Sequence, residues 1–221
     1  MLLSTLAAMA LSGYQTMTPT YFIFLVTGKN PPKASQEEIQ KYQMAHIDNF
    51  KRLFGEKKLM TAGPCADPEK TKRGIVVLAV KSEKEIAECF KPDPYVSMGF
   101  MEVKAMKMTV HFGQINTNDI DPSGIEENRI VVFSAGAVVA DSTGVRTARQ
   151  KHLDHIRKAG EKAGLAFYAS LGDSADLRAV AFFKGKDDEK ISAWINKDPL
   201  VKNGTLKAVK FPQWLGKGVL K

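Results

Sequence analysis

The sequence predicts an α+β protein built from two β-α-β-β-α-β units, the split βαβ order of ferredoxin-like domains. Three observations lead to this prediction. Short apolar runs alternate with stretches of helical periodicity, a polar segment divides the 221-residue chain, and the same order of elements recurs on both sides of it. The chain is therefore expected to contain two similar folding units.

The first unit begins with an apolar, aromatic-rich run. Four strands are expected in it, at residues 21–28, 59–62, 74–80 and 100–111. Its first helix is expected at residues 37–57, because Ser35 is a typical N-cap and acidic residues follow it. A second helix should begin at Ser82, with Glu85 three residues later in a capping-box arrangement.

A polar linker precedes the second unit. Residues 114–128 contain Pro and Gly and almost no apolar anchors, which is typical of a loop. The second unit is expected to have strands at residues 130–135, 165–170, 179–184 and 205–211, and helices at residues 142–163 and 187–196. The predicted organisation is an N-terminal segment, a first domain, a linker and a divergent second domain, at residues 1–20, 21–112, 113–128 and 129–221.

The two units share residues at matching spacing, which indicates an internal duplication. Three residues recur 106 positions later: His46 as His152, Asp48 as Asp154 and Leu59 as Leu165. Two further features recur 105 positions later: Asp93-Pro94 as Asp198-Pro199 and Gly99 as Gly204. A single one-residue gap in a loop reconciles the two spacings.

Composition excludes several classes of protein. Hydrophobic residues make up 44% and charged residues 25% of the chain, which is ordinary for a globular protein and excludes a polytopic membrane protein. The formal charge is +8, but the lysines are interleaved with acids, as at residues 184–190. This pattern favours a solvated surface over a nucleic-acid interface, so no nucleic-acid partner is expected.

Metal and nucleotide cofactors are not expected either. Cys65 and Cys89 are too few for a disulfide scaffold, and no Cys/His cluster has zinc-ligand spacing. No glycine-rich dinucleotide or phosphate-binding motif is present. His155 lies three residues from His152, but it has no further ligand beside it in the sequence that would favour a metal site.

The N-terminus carries an apolar run at residues 2–11 that is too short to span a bilayer. It is typical of the apolar region of a signal peptide, with Ala8-Met9-Ala10 as a cleavage site, although no basic residue precedes it. The alternative is an unprocessed apolar tail. The chain would be periplasmic or secreted in the first case and cytoplasmic in the second.

The first half of the chain resembles the YciI-like (YCII-related) family. The resemblance covers residues 21–110 and rests on Ala45-His46, the charged segment 55–59, the segment 61–64 (Thr-Ala-Gly-Pro), the segment 93–96 (Asp-Pro-Tyr-Val) and Gly99. It implies ferredoxin-like units that pair as a dimeric α/β barrel, here formed within one chain as a pseudo-dimer. It also implies a His–Asp dyad, which is His46 with Asp93.

The chemistry of such a dyad can be argued from the residue types. A carboxylate that accepts from one imidazole nitrogen fixes the tautomer and leaves the other nitrogen as a base for proton abstraction or elimination. Gly63, Pro64 and Tyr95 are then the expected substrate-binding residues. The alternative is that His46 packs against apolar neighbours and Asp93 is an ordinary turn residue.

The second half matches the pattern more loosely. It keeps His152 and Asp198, which form a second candidate dyad, but residues 168–170 (Tyr-Ala-Ser) replace Ala-Gly-Pro, and Leu200 replaces Tyr95. The first half is therefore expected to hold the working site, while the second completes the barrel.

Two functions stay open from the sequence. The first is a small enzyme that uses a His–Asp dyad on an unidentified small organic molecule. The second is a non-catalytic ligand-binding or interaction module. Either would be a monomer with an internal pseudo-dimer, or a higher homo-oligomer.

Overall fold

A computed structural model describes residues 18–118, 120–138, 142–172 and 177–221. The apolar run at residues 2–11, on which the signal-peptide expectation rests, lies outside these residues. In the part of the chain that the structure describes, no helix is long and apolar enough to cross a membrane.

Within the described residues, each half contains four strands, two helices and one short helical turn. The elements of the first half are β1 (Thr20–Thr27), α1 (Gln36–Gly55), β2 (Leu59–Pro64), β3 (Lys72–Ala79), α2 (Glu83–Phe90), α3 (Pro94–Ser97) and β4 (Met101–Gly113). Those of the second half are β5 (Asp121–Ala135), α4 (Ser142–Ala163), β6 (Leu165–Leu171), β7 (Leu177–Phe183), α5 (Asp188–Lys197), α6 (Pro199–Lys202) and β8 (Leu206–Lys217).

The eight strands form one antiparallel sheet in the order β2-β3-β1-β4-β6-β7-β5-β8. The pairing of β4 with β6 joins the two halves. At the other seam, the Ala66 N–H donates to the Pro212 carbonyl over 2.9 Å, and Cys65 forms an isolated bridge with Gln213. The sheet therefore curls into a nearly closed barrel, and the predicted intramolecular pseudo-dimer is confirmed.

Strand alternation explains how this sheet is buried on both faces. On β1, Phe22 and Phe24 point into the barrel interior, whereas Ile23 and Leu25 belong to a separate core outside it. Phe182 of β7 reaches the same interior from the second half, with its ring 6.3 Å from that of Phe22. The sheet thus has one shared core inside the barrel and one outer core in each half.

The two halves repeat the same close contact between strand ends. A Cβ at Gly28 would collide with the Gly99 carbonyl, and a Cβ at Gly136 would collide with the Gly204 carbonyl. Gly99 and Gly204 have φ angles of 82° and 77°, in the left-handed region that glycine adopts without strain. The same close approach of two backbone segments therefore recurs in both halves.

The helix N-termini follow the sequence prediction with one difference. The Ser35 hydroxyl accepts from the Glu38 N–H, and the Glu38 carboxylate accepts from the Ser35 N–H over 2.7 Å, a complete capping box. Ser82 caps α2 through the Glu85 N–H, but the Glu85 carboxylate accepts from the Lys81 N–H. The reciprocal half of the second box is therefore displaced by one residue.

Asp93-Pro94 and Asp198-Pro199 each begin a short helix. One other local prediction differs from the structure. The segment predicted as a linker contains the first part of β5, because β5 begins at Asp121 and pairs with the end of β8. Ile125 in that part of β5 is 73% exposed, so backbone pairing with β8 holds the segment, and no apolar pattern marks it in the sequence.

Candidate active site

The first dyad joins α1 to the segment after α2. His46 lies on α1, and its Nδ1 is 2.6 Å from Oδ2 of Asp93. The other carboxylate oxygen of Asp93 accepts from the Tyr95 N–H over 3.0 Å, so Asp93 also caps α3. Asp93 is completely buried, whereas the His46 side chain is 12% exposed.

Aromatic side chains surround His46. Its ring lies 4.5 Å from that of Phe50 and 5.3 Å from that of Tyr95, and the Tyr95 ring lies 5.9 Å from that of Phe100. The Tyr95 hydroxyl donates to the Ile39 carbonyl, and it lies 3.2 Å from Oε1 of Gln43. Burial, followed by the charge of Asp93, raises the pKa of the Tyr95 phenol. The first dyad is thus packed among rings.

Gly63 and Pro64 continue the strand that was expected to end at residue 62. Both lie in β2, opposite Ile75 and Gly74 of β3. A Cβ at Gly63 would collide with the Trp214 carbonyl of β8, so this glycine allows β2 to approach β8 where the barrel closes. The structure explains Gly63 by the barrel seam, and a substrate-binding role for Gly63 and Pro64 stays a prediction.

The second dyad has the same geometry and one additional partner. Nδ1 of His152, on α4, lies 2.6 Å from Oδ2 of Asp198, and Oδ1 of Asp198 accepts from the backbone N–H groups of Leu200 and Val201. Nε2 of His152 lies 2.7 Å from the Tyr168 hydroxyl on β6. In the neutral imidazole, the proton on Nδ1 is donated to Asp198, and Nε2 is the acceptor for the Tyr168 O–H.

Tyr168 is held in its protonated form. The side chain is buried, and burial followed by the charge of Asp198 raises the pKa of its phenol far above the usual range. The hydroxyl is therefore a hydrogen-bond donor at neutral pH. Tyr168, His152 and Asp198 form a continuous hydrogen-bonded chain.

A cavity of about 820 Å³ opens beside this second dyad. Its walls include His152 and Arg149 from α4 and Tyr168 from β6, together with Lys107 and His111 from β4. The strand β4 belongs to the first half of the chain. The site at His152 is therefore built from both halves.

His111 is a second imidazole in this cavity. Its Nε2 lies 2.8 Å from the Ser170 hydroxyl of β6. Burial, followed by the positive charges of Arg149 and Arg157 and by His152, lowers the pKa of His111. The His111 ring is therefore expected to be neutral near pH 7 and able to donate or accept a hydrogen bond.

Side-chain volume explains why the second dyad has a cavity. At the position of Tyr95 the second half has Leu200, and at the position of Phe100 it has Thr205. Leu200 and Thr205 both line the cavity, whereas the two larger rings pack beside His46 in the first half. In the sequence, Leu200 in place of Tyr95 favoured the first half as the working site. In the structure, this smaller side chain is what leaves space next to His152.

Several residues of this site were missed by sequence reasoning. Tyr168 and Ser170 were noted only as departures from the family pattern, and His111, Arg149 and Lys107 were not considered. A signal did exist for Tyr168, since it occupies the position of Ala62 in the matching spacing. A polar aromatic residue in place of alanine on a core strand needs a hydrogen-bond partner.

His155 is explained by packing. Its ring stacks on Trp194 at 5.1 Å, and its Nε2 lies 3.0 Å from the Trp194 carbonyl. Among the residues that the structure describes, no group of three His, Cys, Asp or Glu side chains is arranged to hold a metal ion.

Solved structures with the same architecture place the chain in the dimeric α/β-barrel class. A Fusobacterium nucleatum protein provisionally named a monooxygenase superposes with a TM-score of 0.59 at 9% identity, over 93% of this chain and 97% of that one. Chlorite dismutase from Candidatus Nitrospira defluvii gives 0.57 at 7% identity, over 90% and 92%. A heme-binding protein from Thermus thermophilus gives 0.53 at 6% identity, over 90% and 91%. These identities establish the fold alone.

The sequence comparison is more specific about the first half. Residues 22–109, which span β1 to β4, match the model of the YCII-related domain. No curated protein matches the chain.

Proposed function

We propose that the protein is a small-molecule enzyme whose working group is the dyad His152–Asp198. The observation that carries this proposal is the hydrogen-bonded chain from Asp198 through His152 to Tyr168, in which His152 and Tyr168 line the cavity. Sequence reasoning favoured His46 and Asp93 instead. The cavity beside His152 and the aromatic packing around His46 support the opposite ranking.

The geometry suits proton abstraction next to a carbonyl group. A bound substrate that displaces the Tyr168 hydroxyl from His152 would leave Nε2 as a neutral base, with Nδ1–H held by Asp198. A proton then moves from carbon to Nε2. The electron pair of that C–H bond forms a C=C bond to the carbonyl carbon, and the π pair of the C=O bond moves to its oxygen, which gives an enolate. The protonated Tyr168 hydroxyl can donate to that oxygen, because its raised pKa keeps the proton on it.

In this proposal the first dyad has a structural role. Asp93 caps α3 and holds His46 between Phe50 and Tyr95, which links α1 to the segment before β4. The matching spacing and the matching dyads also support an internal duplication in which the first copy kept the family motif. The second copy has Tyr168 and Leu200 at the positions of Ala62 and Tyr95.

One structural neighbour is named for heme binding, but the proposal assigns the cavity to a substrate. Both ring nitrogens of His152 are hydrogen-bonded within the protein, to Asp198 and to Tyr168, and the proposal uses Nε2 for proton transfer. No step of the proposed chemistry passes through a cofactor.

The alternative is a ligand-binding module without chemistry. This alternative is supported by the hydrogen bonds of His152, because both ring nitrogens have partners within the protein. The His152 side chain is also only 4% exposed. A catalytic His152 must exchange Tyr168 for substrate. A binding module would keep that hydrogen bond.

Solvent exchange separates the two functions. The protein would be incubated in D₂O with a panel of 2-oxo and 3-oxo carboxylic acids, and loss of the C–H signal next to the carbonyl would be followed by proton NMR. The enzyme proposal expects catalysed exchange with at least one acid and a loss of roughly 10²-fold in the Asp198→Asn variant. Binding of panel members without any exchange above the buffer rate would favour the binding module.

A further inference from the structure

We infer that the cavity beside His152 selects organic anions, and specifically a carboxylate attached to an apolar body. This inference rests on the proposal that the cavity is the substrate site. It adds the substrate class and the residues that recognise it, which are Arg149 and Lys107.

Among the described residues, every charged side chain of the cavity wall is basic. Among the described residues, the lining includes Lys107, Arg149 and Arg178 and no Asp or Glu side chain. Lys107 and Arg149 form no ion pair with any residue that the structure describes. Two cations that share a wall, with no carboxylate partner among the described residues, attract an anionic ligand.

This charge is particular to the second site and does not follow from the general basicity of the chain. By the same spacing that relates the two dyads, Arg149 corresponds to Gln43, and Lys107 corresponds to Pro212. Gln43 lies beside the Tyr95 hydroxyl in the first half. The cations are thus present only where the rings are absent and the space is open.

Neutral groups complete the recognition of an anion. The Thr205 hydroxyl oxygen is buried in the cavity wall and has no hydrogen-bond partner among the described residues. An unpaired buried hydroxyl is costly, so a ligand oxygen at this place would satisfy it. His111 and the Ser170 hydroxyl form a second polar pair in the same wall.

The remaining wall indicates the body of the ligand. Leu153, Leu200 and Leu206 line the cavity, so the part of the ligand that faces them is apolar. Inorganic phosphate would use the cations and leave this surface uncovered. An organic carboxylate with an apolar body would contact both the cations and the leucine side chains.

The test compares benzoate with benzamide, its neutral isostere, by isothermal titration calorimetry on the full-length protein. Benzoate is expected to bind at least ten-fold more tightly than benzamide and inorganic phosphate. Arg149→Met and Lys107→Met should each weaken benzoate binding about ten-fold and leave benzamide binding unchanged. Lys104→Met is the matched control, because Lys104 lies on the same strand β4, outside this cavity, and pairs with Glu102.

The outcomes separate this inference from the proposed function. Equal binding of benzoate and benzamide, no binding of either, equally tight binding of phosphate, or an equal effect of Lys104→Met would each overturn the inference. If benzoate binds as expected but no oxo acid undergoes exchange, the inference stands and the enzyme proposal fails. If neutral ketones undergo exchange as fast as oxo acids, the enzyme proposal stands and the inference fails.

Discussion

The Tyr168 hydroxyl lies 2.7 Å from Nε2 of His152 and is held there by a chain of hydrogen bonds that ends on the buried carboxylate of Asp198. The first half has no equivalent hydroxyl, because Ala62 stands at the position of Tyr168. Two dyads of the same geometry therefore have different surroundings. The difference depends on three positions at which the side chains of the two halves differ. The first half has Ala62, Tyr95 and Phe100, and the second half has Tyr168, Leu200 and Thr205 at the corresponding positions.

Filling the cavity beside His152 with aromatic rings should reproduce the packing around His46 in the first half. The double variant Leu200→Tyr/Thr205→Phe places two rings where Tyr95 and Phe100 stand beside His46. We expect benzoate affinity to fall more than ten-fold by calorimetry, because the added rings occupy the ligand space. The thermal melting curve should remain cooperative. Unchanged benzoate affinity in a folded double variant would show that the ligand binds elsewhere.

The buried phenol of Tyr168 predicts a pH dependence of stability. Its pKa is raised in the folded state, whereas the unfolded chain ionises near the usual value of about 10, so ionisation favours the unfolded state as pH rises above that value. Relative to Tyr168→Phe, the wild-type protein should lose about 1.4 kcal/mol of unfolding free energy by pH 11. Urea unfolding at pH 8, 10 and 11 measures this difference, and a gap that does not change with pH would contradict the assignment.

The carboxylate of Asp93 predicts a stability effect in the first half. Asp93→Ala removes the cap of α3 and leaves Nδ1 of His46 without its acceptor, so the free energy of unfolding should fall by about 2 kcal/mol. Asp48→Ala is the control, since Asp48 is exposed on the same helix as His46 and pairs only with Lys51 at the surface. It should change stability by less than about 0.5 kcal/mol. Equal effects of the two substitutions in urea unfolding would argue against a buried structural dyad.

The barrel seam makes Gly63 sensitive to any side chain. Gly63→Ala would force a Cβ into the Trp214 carbonyl, and separating β2 from β8 should cost about 1–3 kcal/mol in thermal or urea unfolding. Gly55→Ala, at the end of α1, meets nothing within 4 Å and should be neutral or slightly stabilising. A tolerated Gly63→Ala would mean that the seam can open without loss of stability.

Much of the fold could be predicted from the sequence because its signals are local. Apolar runs, the N-caps Ser35 and Ser82 and the matching spacing of the two halves locate nearly all the strands and helices. The start of β5 at Asp121 could not be predicted, because that segment is held by backbone pairing with β8 and not by an apolar pattern. The role of Gly63 depends on β8, a strand about 150 residues away in the sequence.

The candidate site likewise has one part that could be predicted from the sequence and one part that could not. The approach of His46 to Asp93, and of His152 to Asp198, follows from the order of elements in each unit. The cavity could not be predicted, because it depends on how Leu200 and Thr205 fill space that belongs to other elements. Its cation Lys107 comes from the other half of the chain, so its presence beside His152 depends on the pairing of β4 with β6.

The measurement that tests the central claim most directly is the exchange rate of one oxo acid substrate in two matched variants, His152→Gln and His46→Gln. Both substitutions remove an imidazole from the same position of equivalent helices. Our account predicts that His152→Gln lowers the rate by roughly 10²-fold or more, whereas His46→Gln keeps it within about two-fold in a folded protein. Full activity in His152→Gln together with loss of activity in folded His46→Gln would contradict the account and place the chemistry at the first dyad.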